Sequence, residues 1–269
     1  MLRIQGLNKS FYTGSSGDGM NGEKVAVRGV NLSLREGDFV TVIGSNGAGK
    51  STLLNIIAGV YYPDSGTIYL DGKDITRLPE YRRAGSIGRV FQNPGHGTAG
   101  SMTIEENLAM ALRRGKPRRL ARGVTESDRK LFRDYLCLLD LGLEKRLTDP
   151  VRLLSGGQRQ ALALLMAAMT RPRLLLLDEH TASLDPKTAE HILNLTCKIV
   201  AQNRLTAIMV THNLMHALNV GSRTLMMHEG EIILDVSGSE RAGMTVEDLL
   251  DKFAKVRGER LVEDRLLLA

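Results

Sequence analysis

This chain of 269 residues has no tryptophan, and aromatic residues make up only 4% of it. That scarcity weakens any function built on stacking nucleic-acid bases. Cysteine is nearly absent: Cys137 and Cys197 stand alone, each in a helical-looking apolar pattern. The pair predicts a reduced cytosolic core rather than a disulfide framework. Long hydrophobic runs are missing too, since Ala161 to Met169 and Leu174 to Leu177 are too short to cross a bilayer. Met1 to Gly6 lacks a basic start backed by an apolar core, so no signal peptide is expected. No internal repeat or low-complexity linker is found. What is present, 25% charged and 42% hydrophobic residues, is ordinary for a globular chain. The length allows one large domain or two small ones. The net charge of +6 is partly local, with Arg113, Arg114, Lys116, Arg118, Arg119 and Arg122 in one segment. A solvated face explains that segment better than a nucleic-acid patch.

The most informative stretch is Gly44-Ser45-Asn46-Gly47-Ala48-Gly49-Lys50-Ser51-Thr52. It fits the phosphate-binding pattern of Gly, four residues, Gly, Lys, Ser/Thr. Phe39 to Ile43 before it reads as a buried strand, and Thr52 to Ala58 after it as a helix closed by Gly59. Strand, glycine loop and helix aim backbone N–H groups and a helix N-terminus at a polyphosphate. Gly47 and Gly49 let the backbone curl close, Lys50 suits the β- and γ-phosphates, and the Ser51 hydroxyl suits Mg²⁺. Binding of a nucleoside triphosphate is the expectation.

Further along, Leu174 to Leu177 reads as a buried strand delivering Asp178-Glu179 at its carboxyl end, where open α/β sheets hold ligands. In phosphate-loop ATPases such acids hold Mg²⁺ and act on the attacking water. Shortly before it, Leu154-Ser155-Gly156-Gly157-Gln158 resembles the signature motif of ATP-binding cassette (ABC) ATPases. The resemblance runs from about Leu2 to Leu234 with the motifs in family order.

The resemblance implies ATP and Mg²⁺ as cofactors and assigns roles residue by residue. Phe11 matches the aromatic that stacks on adenine, with Tyr12 the nearby alternative. Gln92 matches the glutamine that contacts Mg²⁺ and senses the transporter, so Ser51, Gln92 and Asp178 form the implied metal set. Glu179 matches the catalytic glutamate, and His212 the switch histidine at the γ-phosphate. Ser183-Leu184-Asp185 resembles the loop that crosses the dimer interface. Ser155, Gly156, Gly157 and Gln158 correspond to the surface that closes on ATP held by a partner subunit. Two departures occur: His180 stands where the family usually has proline, and Arg159-Gln160-Ala161-Leu162 is a variant continuation. The string from Asp178 to Asp185, with Thr245 to Leu250, resembles bacterial uptake ATPases linked to tryptophan or tyrosine.

The implied protein is an ATP-hydrolysing subunit powering a membrane transporter. It would act as a homodimer on integral permease subunits, with an extracytoplasmic binding protein, at the cytoplasmic membrane face. No nucleic acid is expected. The alternative, a non-transport ABC ATPase acting on ribosome or nucleic acid, rests on the basic segment alone.

The expected fold is α/β: a phosphate-loop ATPase core with a largely parallel sheet flanked by helices, an antiparallel β subdomain and an inserted helical subdomain. The expected division of this single nucleotide-binding domain is a core at about 1–92 and 161–236. A helical subdomain at about 93–160 and a C-terminal helical extension at about 237–269 complete it. Locally, short strands are expected from Leu2 to Leu34 around a turn at Gly14 to Gly22. A capping box at Thr103 to Glu106 opens a helix, and another helix runs from Ala161 to Thr170. Asp185 caps a further helix that begins at Pro186. A hairpin turns at Glu229-Gly230, and a last helix runs from Thr245 to Gly258.

Overall fold

The computed structural model describes residues 1–13, 22–116 and 123–257. The turn beginning at Gly14, the basic residues Arg118, Arg119 and Arg122, and the tail from Arg260 to Ala269 lie outside them, apart from Gly22. The chain divides into two compact units, 1–83 with 208–269, and 84–207.

The first unit opens with β1 (Leu2–Thr13) and β2 (Gly22–Leu34), paired antiparallel from Leu2↔Leu34 to Thr13↔Gly22. These are two long strands where short ones were expected. Register shifts near Gly6, where φ is 55°, and along the partner at Gly29, where φ is 58°, bend the ladder without ending it. A glycine that punctuates the sequence here makes a bulge rather than a break. β3 (Phe39–Ile43) is buried along its whole length and runs into α1 (Lys50–Ala58), which Gly59 closes at φ 86°. β4 (Ser65–Leu70) pairs with β1, and β5 (Lys73–Asp74) completes a four-stranded sheet in the order β2-β1-β4-β5. The one-turn helix α2 (Glu80–Arg83) follows.

Arg83 is a keystone of this unit. It is buried, and its guanidinium donates to the carbonyls of Ile56, Ile57, Thr76 and Leu78 at 2.7–3.0 Å. Burial pulls its pKa down to about 10, so it stays cationic at neutral pH, facing the negative end of α1.

The second unit pairs β6 (Ile87–Val90) in parallel with a later strand, across a helical stretch. α3 (Ile104–Leu112) carries the expected capping box between Thr103 and Glu106, and α4 (Glu126–Cys137) carries a second between Thr125 and Asp128. Arg129 grips Glu105 with two bonds, 2.8 and 3.1 Å, tying α4 to α3. α5 (Gly156–Ala168) starts five residues before the expected Ala161, because Ser155 caps it. Every residue from Gln160 to Ala168 is buried. β7 (Leu174–Asp178) and α6 (Pro186–Asn203) follow, α6 capped by Asp185, which accepts from Thr188 N–H at 3.1 Å. β8 (Thr206–Val210) contains the boundary between the units.

Back in the first unit, α7 (Leu214–Asn219) leads to β9 (Arg223–His228), parallel to β3 with Val42 opposite Leu225. β10 (Glu231–Ser237) returns antiparallel to β9, so the sheet is mixed. α8 (Gly238–Ala242), not anticipated from sequence, and α9 (Val246–Arg257) close the described chain. Leu249 and Phe253 of α9 pack with Ile43, Leu214, Ala217 and Met226 in one apolar cluster. Both cysteines are free, as expected, but their exposure departs from the expected core placement: Cys137 is exposed and Cys197 only half-buried. The buried face of α4 is instead Phe132 and Leu136.

Candidate functional site

In the first unit the strand β3 delivers the chain to a loop whose shape is enforced by backbone packing. A Cβ on Gly44, at φ 145°, would stand 2.1 Å from the Met227 carbonyl oxygen. On Gly49, at φ 98°, it would stand 2.2 Å from that of Ala26. No side chain fits at either position, and Gly47 at φ 81° needs the same left-handed freedom. The Lys50 ammonium, almost buried, donates to the Gly44 carbonyl at 2.7 Å and the Ser45 carbonyl at 3.0 Å. It spans the loop from inside. Ala48 exchanges bonds with Ser45 and Gly230, while Asn46, Gly47 and Ser51 face outward, with Thr52 half-buried behind them.

Phe11 is half-buried and braced. The Tyr61 ring meets it edge-on with centroids 5.2 Å apart, and Lys9 Nζ lies 5.5 Å from its centroid. Lys9 is fixed in turn by Asp64 at 2.7 Å, a bond that holds the Asp64 carboxyl below the usual range. Tyr12, by contrast, is 72% exposed. His212 follows β8, half-buried, just after Thr211 donates its N–H to Val42 of β3 at 3.1 Å. Thus Phe11, the loop from Gly44 to Thr52, and His212 belong to one unit.

The second unit holds the remaining sequence-derived residues. Gln92 is exposed just past β6, and its carbonyl accepts from the Ser183 hydroxyl at 3.3 Å, tying the two loops together. Asp178 ends β7, with Arg89 Nη2 at 3.3 Å from its carboxylate. Glu179 adopts φ 44°, a left-handed conformation that strains a non-glycine residue. It is over-determined by its surroundings: Ala182 N–H donates to its carbonyl at 3.0 Å, and the neighbouring His180 is clamped. His180 is 1% exposed, with Nε2 2.9 Å from the Thr196 hydroxyl. That hydroxyl donates to the Ile192 carbonyl at 2.8 Å, so His180 Nε2 carries the proton between them. The residue replacing the usual proline therefore anchors the turn to α6.

At the start of α5, Ser155 Oγ accepts from Gln158 N–H and Gln158 Oε1 accepts from Ser155 N–H, both at 3.2 Å. Ser155 and Gly156 are exposed. A Cβ on Gly157 would come within 2.3 Å of Thr188 Cγ2 in the first turn of α6.

Sequence reasoning missed Arg83, Tyr61 and Arg89. Only Arg89 carried a signal, as a lone charge inside the apolar run Ile87 to Phe91. The basic segment also reads differently. Arg114 turns inward to the carbonyls of Met166 and Ala167 at 3.2 and 3.1 Å, and Arg113 lies 3.7 Å from Asp128.

The loop of the first unit fits a nucleotide. The glycine cradle excludes side chains where a polyphosphate backbone contact is needed. The Ser51 hydroxyl in the first unit, and the Gln92 amide and Asp178 carboxylate in the second, are each hard oxygen donors of the kind Mg²⁺ takes.

Comparison with known proteins agrees. A family profile described as "ABC transporter" matches residues 27–182. A tyrosine transport ATP-binding protein of Clostridioides difficile is 46% identical, over 94% of this chain and 98% of its own length. A spermidine/putrescine import ATP-binding protein of Spiroplasma citri is 38% identical, over 86% of this chain and 60% of its own. Among solved structures, a dimeric ATP-binding cassette bound to ADP and Pi in a post-hydrolysis state superposes with a TM-score of 0.73. It is 30% identical, over 88% of this chain and 98% of that one. Another cassette of an ABC transporter, in its ADP conformation, gives 0.75 at 29% identity, over 95% and 97%. The chain therefore belongs to the ABC transporter family, as an ATP-binding and ATP-hydrolysing subunit that powers transport.

Proposed function

We propose that this subunit powers uptake of a small solute of the amino-acid class, tyrosine being the first to test. The observation that carries this reading is the end-to-end 46% identity to a tyrosine transport ATP-binding protein. The test is uptake of radiolabelled tyrosine by cells with and without the gene. Equal uptake in both would remove tyrosine as the substrate and direct the assay to other amino acids.

The chain acts as one nucleotide-binding domain. Its α/β core is at about 1–92 and 161–236, its helical subdomain at about 93–160, and its extension at 237–269. Two copies act head to tail, on permease subunits at the cytoplasmic face and with an extracytoplasmic binding protein. No helix among the described residues is long and apolar enough to cross a membrane, so this reading places the translocation path on other chains.

Within each site, backbone N–H groups from Gly44 to Thr52 bind the phosphates and Lys50 neutralises them. Phe11 stacks on the base. Ser51, Gln92 and Asp178 would hold Mg²⁺, which when bound neutralises phosphate charge. Glu179 orients and deprotonates the attacking water, and His212 holds the γ-phosphate end. Ser155, Gly156, Gly157 and Gln158 of the second copy complete the site, so hydrolysis depends on closure. Glu179→Gln should keep ATP binding, lower turnover by about 10²- to 10⁴-fold and accumulate an ATP-bound dimer. Phosphate release and size-exclusion chromatography measure this, and near-normal turnover would sink the role given to Glu179.

A further inference from the structure

Arg89 is a cation on an otherwise apolar strand, next to the acid assigned here to Mg²⁺. The register of β6 on β7 explains the encounter. Arg89 lies opposite Leu176 and Val90 opposite Leu177. Directly opposed residues share a face, and residues two apart along a strand share it as well. Arg89, Phe91, Leu176 and Asp178 therefore fall on one side of the pair. From there the guanidinium reaches past Phe91, its carbon 4.5 Å from the ring centroid, to Asp178 Oδ2 at 3.3 Å.

Three features make this a pair built to open. Both side chains are largely removed from water, 11% and 14% exposed, so a carboxylate is costly to hold there and a neighbouring cation relieves part of that cost. The bond is long and uses one guanidinium nitrogen, not the two-pronged grip that Arg129 has on Glu105. Arg89 Nε is buried without a hydrogen-bond partner, so the guanidinium is not locked by other bonds on that side. The Phe91 face holds the guanidinium whether or not the carboxylate stays with it. Arg89 can thus release Asp178 without moving to a new site.

We propose that Arg89 is a resident counter-ion of Asp178, competing with Mg²⁺ for its carboxylate and limiting how far the metal strengthens nucleotide binding. The inference rests on the assignment of Asp178 to the metal. A divalent ion at Asp178 Oδ2 would displace the guanidinium bond, and one at either oxygen would share its surroundings with a positive charge. Both effects oppose the metal. The pair holds the acid in place between cycles, and it makes metal binding weaker and more readily reversed.

The experiment measures the dissociation constant of a fluorescent non-hydrolysable ATP analogue in EDTA and in excess MgCl₂, and takes the ratio. Neutralising Arg89 as Arg89→Met or Arg89→Gln should raise that ratio about tenfold, the lower end of what a neighbouring unit charge does to a carboxylate. Arg89→Lys keeps the charge and should stay within about twofold of the parent, by the same rule. It carries the test if melting curves show that the neutral variants do not fold, and a tenfold rise in it would overturn the proposal. Asp178→Asn separates the two ideas. If it erases the Mg²⁺ enhancement while neutral Arg89 variants leave the ratio unchanged or lower, Arg89 is not a competitor and the metal assignment stands. If Asp178→Asn leaves the enhancement intact, the metal assignment fails and the proposal falls with it.

Discussion

Helices α1 and α5 end alike and begin differently. At the C-terminus each is met by a long-range arginine: Arg83 donates to Ile56 and Ile57 of α1, and Arg114 to Met166 and Ala167 of α5. A cation there satisfies carbonyls that the helix leaves orphaned and suits the negative end of its dipole. At the N-terminus, α1 has Gly49, which offers no side chain to its first N–H groups. α5 has Ser155 and Gln158, each bonded to the other's backbone. One helix start has no side-chain cap from its N-cap residue, while the other satisfies two of its donors from within. The difference fits their assigned tasks. In the function proposed above, the α1 loop holds phosphate in a single chain, and the α5 start stays stable while exposed until a second copy arrives.

The sharpest way to break this contrast is to add one methyl group to each start. Gly49→Ala drives a Cβ against the Ala26 backbone at a φ that side chains rarely adopt, so the loop must distort. We expect nucleotide affinity to fall at least about 100-fold, as positioned backbone donors are lost. Gly156→Ala meets only Leu184 Cδ2 at 3.6 Å, an ordinary contact. Its nucleotide affinity as a monomer should equal the parent's. Equilibrium binding of a fluorescent nucleotide to both variants checks the pair, and equal losses would erase the distinction.

The C-termini come next. Arg83→Met removes a donor from four backbone carbonyls in a buried place, of which Ile56 keeps the Gly59 N–H, and should lower stability by ~3 kcal/mol, the scale of unsatisfied buried polar groups. Arg114→Met removes a residue that is half-buried as a whole and donates to two carbonyls rather than four, and should cost ~1 kcal/mol. Urea unfolding resolves the two. A larger loss for Arg114 would show that burial does not rank these caps. Ser155→Ala should lower stability by a similar ~1 kcal/mol, the usual value of an N-cap hydroxyl. It should leave nucleotide affinity of the monomer unchanged and reduce turnover, measured as phosphate release.

What could be read from sequence was local. The strand, loop and helix around Lys50, the capping box at Thr103, the hairpin at Glu229-Gly230 and the acidic end of β7 all lie within short windows of chain. Their signals are steric and periodic, and each appears in the structure. What could not be read was set by distance along the chain. Arg83 finds Ile56 at a separation of 27 residues, Arg114 finds Met166 at 52, and Arg89 finds Asp178 at 89. Nothing in an arginine's immediate neighbours announces such partners. Gly6 and Gly29 misled in the other direction, because a glycine that ends a strand and one that kinks it look the same. The exposure of Cys137 was hidden for a related reason, since Leu136 beside it belongs to the buried face and one residue of helical rotation turns outward.

Acid should widen the contrast between helix starts by the smallest of these effects. The carboxyls of Glu106, Asp128 and Asp248 all lie below the usual range, each chiefly because the backbone N–H of Thr103, Thr125 or Thr245 donates to it. A carboxyl whose pKa is lower in the folded chain stabilises fully above its unfolded value and loses that contribution as pH falls through the folded one. The starts of α3, α4 and α9 should therefore weaken as pH drops below about 4, the ordinary carboxylate range. The start of α5 uses the uncharged Gln158, and that of α1 uses no side chain, so neither has such a term. Replacing Glu106 and Asp128 together by Gln and Asn should flatten the fall of stability between pH 5 and 3, the range about the ordinary carboxylate pKa. Gln158→Glu should steepen it by adding an ionisable cap to α5. Urea midpoints across that range measure both slopes. An unchanged slope in Gln158→Glu would mean that the exposed α5 start gains nothing from a charged cap, and that its stability comes from the buried run Gln160 to Ala168 instead.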